Sequence, residues 1–121
     1  MKVLMIEPNR PPRLCNTVDD LESLQQIVGG PIQAIYPFDE PVALVCNEEA
    51  KLEGLPPNRA LRDEDGNVYD IICGTFFLCS APPDSENFES LTEEQMERYT
   101  KRFLRPEVFL RVNGEIVVVP V

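Results

Sequence analysis

The chain contains no histidine among its 121 residues. That removes the commonest general base at neutral pH and the usual partner of a serine or cysteine nucleophile, along with every histidine-containing metal site. Its four cysteines, Cys15, Cys46, Cys73 and Cys79, form no CxxC pair, so the spacing of a cysteine-only zinc site is missing too. There is no glycine-rich phosphate loop; Gly29-Gly30 is a lone pair that suits the end of a helix. No apolar run approaches the ~18 residues of a membrane span. The apolar start, Val3 to Ile6, is broken by Glu7 and is too short for a secretory leader. Cations are scarce as well. Eleven Lys and Arg face 21 Asp and Glu, for a net charge of −10. This argues against direct nucleic-acid binding and against anionic membrane surfaces, because both draw on excess positive charge. The expected setting is a reducing cytoplasm with free thiols.

What is present suits a packed domain. The hydrophobic fraction is 43%, and a chain of this length buries roughly two thirds of its unfolded surface, enough for a core without disulfides or metal. One domain over residues 1–121 is expected. Twelve prolines, several in clusters (Pro11-Pro12, Pro56-Pro57, Pro82-Pro83), cut the chain into short elements.

Strand patterns run over Lys2 to Glu7, Arg13 to Val18, Ile32 to Tyr36 and Val42 to Cys46. A single long strand is expected within Asn67 to Ser80, with both faces apolar, as in a central strand covered on both sides. Asp19 to Val28 predicts a helix capped by Asp19, with Glu22 three residues on and Leu21, Leu24, Ile27 and Val28 as its apolar stripe. Thr92 to Phe103 predicts a second. Thr92 and Gln95 make a capping box, Met96, Tyr99 and Phe103 form the buried stripe, and Pro106 ends it. Val108 to Val112 and Glu115 to Val119 flank Asn113-Gly114, a hairpin turn whose two residues both tolerate positive φ. The expected fold is therefore a compact α+β domain with a mixed or mainly antiparallel sheet, two helices and a C-terminal hairpin.

The polar segment Cys46 to Leu61 reads as a loop between strands and concentrates recognition chemistry. Asn47, Glu48, Asn58, Arg59 and Arg62 are its candidate ligand-binding residues. Arginine offers a planar fork for phosphate or carboxylate, and asparagine reads polar edges. Pro56-Pro57 stiffens the segment and lowers the cost of ordering it. A second reading stays open: Asn47 and Asn58 satisfy backbone groups in a turn, and Arg59 pairs with a nearby acid. Glu48 and Glu49, with Glu53 and Asp63 to Asp65 nearby in sequence, allow carboxylate or metal chemistry. Asp63-Glu64-Asp65-Gly66-Asn67 is a calcium-loop fragment with Val68 where such a loop needs glycine, so it reads as a solvated turn. Arg98, Lys101, Arg102 and Arg105 alternate with acids at helical spacing, as on an ordinary solvated face. The acids from Asp84 to Glu97 offer an alternative surface that imitates a phosphate track.

Leu24-Gln25-Gln26-Ile27-Val28-Gly29-Gly30, Asn47-Glu48-Glu49, Gly54-Leu55-Pro56-Pro57-Asn58-Arg59-Ala60-Leu61, Gly74-Thr75-Phe76-Phe77 and the terminal hairpin together resemble a domain-of-unknown-function family. Its members are small proteins of phages, conjugative elements and Firmicutes genomes, and the resemblance covers nearly the whole chain. It carries over no catalytic residue and no cofactor. It implies a bacterial cytoplasm and a gene that travels on mobile elements. The expected function is a non-enzymatic accessory protein that binds a host protein or a small, nucleotide-like ligand, with countering host defence as one purpose. The alternatives are a small carboxylate- or metal-dependent enzyme and a structural subunit of a larger assembly. A second copy of the chain is a further expected partner.

Overall fold

Nine strands and two helices follow in chain order in a computed structural model that describes residues 1–121. They are β1 (Lys2–Ile6), β2 (Arg13–Asn16), α1 (Leu21–Val28), β3 (Ile32–Ile35), β4 (Val42–Asn47), β5 (Pro57–Arg62), β6 (Val68–Cys73), β7 (Phe76–Ser80), α2 (Glu93–Arg102), β8 (Glu107–Val112) and β9 (Glu115–Pro120). Five strands make one sheet in the order β2-β1-β7-β4-β3, and every pairing in it is antiparallel. The other four form two separate antiparallel ribbons, β5-β6 and β8-β9. This is the expected α+β domain with two helices and a C-terminal hairpin.

Side chains of successive strand residues point to opposite faces, and the central strands are apolar on both. Val3, Ala43, Val45, Phe77 and Cys79 face α1, where they meet Leu24 and Val28. Leu4, Ile6, Val42, Leu44, Phe76 and Leu78 face the other way, toward Leu61 and Ile72 of the β5-β6 ribbon and Tyr99 and Phe103 of α2. The main sheet is thus the middle of three layers. Burying each large apolar side chain on its faces contributes roughly 1.5–3 kcal/mol.

Three expectations change in detail. Helix α1 is capped by Asp20, not Asp19, because the Asp20 carboxylate accepts from the Ser23 N–H at 2.7 Å. The long strand expected within Asn67 to Ser80 is broken at Gly74, which sits at φ 75°. Its first half, β6, belongs to the small ribbon, and its second half, β7, to the main sheet. A side chain at Gly74 would also bring its Cβ within 2.9 Å of Leu55, so glycine is required there for both conformation and space. Finally, the segment expected as loop from Cys46 to Leu61 ends in strand β5, whose residues Asn58 to Leu61 are all buried.

Candidate functional site

Strand β5 carries the two most unusual side chains of the interior. Asn58 and Arg59 are each 1% exposed. Asn58 Nδ2 donates to the carbonyls of Ile6 (2.9 Å) and Gly74 (2.8 Å). Its Oδ1 accepts from Arg59 Nη1 at 2.8 Å. The remaining Arg59 bonds go to backbone. Nε and Nη2 reach the Phe103 carbonyl, Nη2 also reaches Arg10 and Nη1 the carbonyl of Asn58. An arginine has five N–H donors, and these contacts occupy all five. Burial pulls the Arg59 pKa below its ordinary value, opposed by the Glu107 carboxylate, yet an arginine stays charged. The charge sits against the last turn of α2, whose free carbonyls carry partial negative charge.

The edge of β5 away from β6 is closed by one side chain. Glu107, at the start of β8, accepts from the Ala60 N–H with Oε1 (2.9 Å) and from Arg62 Nη2 with Oε2 (2.7 Å). Its side chain is 7% exposed. Both oxygens of a buried carboxylate are therefore used, and the pair anchors the terminal hairpin to the ribbon.

The five residues singled out in the sequence thus occupy three places. Asn58 is interior. Arg59 and Arg62 line a groove described below. Asn47 and Glu48 lie elsewhere, beside a smaller hollow of about 170 Å³ that also has Cys46, Lys51, Asp70 and Cys73 on its walls. Asn47 is buried and joins turn to helix: Oδ1 accepts from the Glu49 N–H at 2.8 Å, and Nδ2 reaches the Val28 carbonyl at 3.4 Å. Gly30 packs so closely on it that an added Cβ would lie 2.8 Å from Nδ2. Both asparagines satisfy backbone groups, and the partners of Arg59 are carbonyls instead of an acid. Glu48 and Glu49 are exposed. No three Asp, Glu, Cys or His side chains are grouped so as to hold a metal ion. The thiols of Cys46 and Cys73 are pushed up by burial, and that of Cys79 to about 12, so none is activated as a thiolate.

The groove is the feature that sequence reasoning passed over. It holds about 480 Å³ between β5, the end of α2 and the root of the hairpin. Arg59, Arg62, Lys101, Arg102 and Arg105 line it, with Glu107 as the one carboxylate. Five of the chain's eleven cations therefore converge on one depression of a protein with net charge −10. Their availability differs. Arg59 has no donor left, and Arg62 is tied to Glu107. Lys101 makes an exposed 3.3 Å contact with Glu97, of the kind worth little in water. Arg105 uses only Nε, on the Val121 carbonyl. Arg102 makes no hydrogen bond or ion pair within the chain; its guanidinium lies 4.9 Å from the centre of the Phe38 ring and 5.8 Å from that of Phe103. Past Arg62 and Arg102 the surface continues into a second depression with Phe38, Tyr69, Asp39 and Asp63 on its walls. The signal available in the sequence was the run of cations at the end of the second helix, which resembles any solvated helix terminus until β5 and Glu107 are seen to complete a wall.

Helix α2 is fixed at its middle by another cluster. The Tyr99 hydroxyl donates to Glu40 at 2.6 Å, and Arg98 Nη1 donates to both oxygens of the same carboxylate. The acids Asp84, Glu86, Glu89, Glu93, Glu94 and Glu97 are exposed. No helix is long and apolar enough to cross a membrane. Residues 1–104 match a family model described as a domain of unknown function (DUF3846), a match that ends before the hairpin. No curated protein and no solved structure matches the chain.

Proposed function

We propose that this chain, which belongs to the DUF3846 domain-of-unknown-function family, is a non-enzymatic accessory protein that captures a small anionic ligand in the groove at the end of α2. The observation that carries this reading is the convergence of five of eleven cations on that groove in an acidic protein. The mobile-element setting is what the family resemblance implies, and capture of a host signal or metabolite fits it.

The chemistry supports a division of labour. Arg59 saturates the Phe103 carbonyl and so offsets the negative end of the α2 dipole, which would otherwise repel an anion. Glu107 holds Arg62 at the rim. That leaves Arg102, Arg105 and Lys101 to supply N–H donors, and the Arg102 and Arg105 forks match phosphate oxygens in pairs. The adjoining depression adds aromatic surface and carboxylates that accept from N–H groups. A nucleotide-like molecule, with phosphate at one end and a planar, hydrogen-bonding group at the other, matches that sequence of surfaces.

Calorimetry with pyrophosphate and with ADP, at low and at physiological salt, tests this. Binding is expected for both, tighter for ADP and weakened by salt, with amide shifts around Arg62 and Arg102 to Glu107. Arg102→Glu is expected to weaken it at least tenfold at an unchanged melting temperature. No heat and no shifts with either compound would refute the reading.

A further inference from the structure

We infer that Glu40 is a positioning residue of the groove: through the loop it anchors, it holds the Phe38 ring against Arg102 and so aims the guanidinium whose donors are all unspent. The inference rests on the groove being an anion site. It extends that site to residues 36–41, between β3 and β4, which contribute nothing to the groove's own wall. Main-chain bonds do not fix this loop. The ladder of β3 with β4 ends at the Ile35–Leu44 pair, and residues 36–39 make no backbone–backbone hydrogen bond. Pro37 and Pro41 narrow the backbone without donating to any partner. Two side chains hold the loop instead. The Glu40 carboxylate accepts at 2.6 Å from the Tyr99 hydroxyl and at 2.6 and 2.7 Å from Arg98 Nη1, charge-assisted bonds of the strong kind. The Phe38 ring centre lies 4.7 Å from that of Tyr99 and 6.3 Å from that of Phe103. Both anchors are on α2 and its cap, so the loop is fastened to the helix whose last turn forms the groove.

Arg102 has only these rings to restrain it. Its guanidinium lies 4.9 Å from the centre of the Phe38 ring and 5.8 Å from that of Phe103. Phe103 is buried in the core beside Phe76. Phe38 sits on the loop and is therefore the half of the contact that can move. An aromatic face attracts a guanidinium without consuming an N–H group. The contact thus restricts a long side chain and leaves its donors for a ligand. An anion that meets a restrained fork does not bear the cost of ordering it. A role for Glu40 through charge alone has the opposite sign. Neutralising this carboxylate removes a negative charge beside α2 and releases Arg98, one helical turn before Arg102. Both changes raise the local positive potential and should tighten an anion. Positioning predicts that the same change weakens it.

Calorimetry with pyrophosphate decides between them, on the full chain as wild type, Glu40→Gln, Phe38→Leu and the double variant, each well below its melting temperature. Each single variant is expected to weaken binding about threefold, the size of an exposed cation–π contact. The double variant is expected to bind no more weakly than Phe38→Leu, because the two residues act in series. Phe38→Tyr keeps the ring and is expected to bind like the wild type. A second readout needs no ligand. The Arg102 Nε–H and Cδ protons are expected upfield in the wild type and in Phe38→Tyr, shifted by the ring, and closer to their free-peptide positions in Glu40→Gln and Phe38→Leu. If Glu40→Gln does not fold, Tyr99→Phe removes one of the bonds to Glu40 and is expected to move the same protons in the same direction. Unchanged or tighter pyrophosphate binding in Glu40→Gln overturns the inference and leaves the anion site standing. So do additive losses in the double variant, or Arg102 protons that stay in place. A wild type that binds no pyrophosphate overturns the anion site and, with it, this role for Glu40.

Discussion

Arg59 and Arg102 line the same groove, yet they do opposite things. Arg59 lies on β5, 1% exposed, with all five N–H groups on oxygens of the chain. Arg102 lies in the last turn of α2, exposed, with no hydrogen-bond partner in the chain. The first recognises the protein's own backbone; the second is left free to recognise something else. The comparison teaches that residue type and even location beside a cavity do not distinguish a structural cation from a binding one. The count of donors still unspent does.

The largest effect is expected from removing the structural arginine. Arg59→Ala should cost about 3–5 kcal/mol in urea unfolding, because it leaves carbonyls and the Asn58 amide oxygen buried without a donor. Arg59→Lys should recover little of this, since three rotating donors do not reproduce a planar fork. A loss below about 1 kcal/mol would place Arg59 with Arg102. Next comes the carboxylate that closes the edge of β5. Glu107→Ala should cost about 2–3 kcal/mol by orphaning the Ala60 N–H and freeing Arg62, and should speed hydrogen exchange through β8 and β9. Glu107→Gln, which keeps an acceptor for Ala60, should cost less.

A smaller change tests the other anchor of α2. Tyr99→Phe should cost about 1 kcal/mol at neutral pH and should alter both ends of the pH profile. The Tyr99 hydroxyl, assisted by Arg98, holds Glu40 below the usual carboxylate range. That stabilisation is present at neutral pH and is lost as pH falls through the Glu40 titration, so the variant's acid limb should be shallower. Tyr99 itself is pushed up to about 12 from 10, by burial and then by Glu40. Its contribution is complete below pH 10 and fades toward pH 12, a loss the phenylalanine variant should not show. Arg102→Ala should do least to stability, within about 0.5 kcal/mol, while reducing pyrophosphate affinity about tenfold. Equal losses of stability from Arg102→Ala and Arg59→Ala would erase the distinction.

Much of the fold was legible because its signals are local. The Thr92–Gln95 capping box and the Asn113-Gly114 turn follow from chemistry within four residues, and the two apolar faces of β4 and β7 follow from alternation. Strand β5 was not legible. Its sequence, Asn-Arg-Ala-Leu, has no period of two, and two polar residues next to Pro56-Pro57 look like loop unless the atoms that satisfy them are known. Those atoms belong to Ile6, Arg10, Gly74 and Phe103, far off in the chain. The break at Gly74 was hidden for a related reason: the alternation continues across it in sequence although the strand changes sheets. For the site, sequence reasoning singled out Asn58, Arg59 and Arg62 as chemically unusual. It could not say whether they face a ligand or the protein, because both demand the same donors. The open cations at Lys101, Arg102 and Arg105 looked ordinary until their neighbours were in place.

The Asn58–Arg59 pair also has a consequence for timing. Its partners come from the first strand, the loop after it, the switch between sheets and the end of α2, so its full set of bonds exists only when all of these are docked. A contact set with such long loops closes late in folding. Interactions absent from the folding transition state act mainly on the escape rate. The pair is therefore expected to work as a latch on the way out: its removal should steepen the loss of native molecules with time far more than it delays their first appearance.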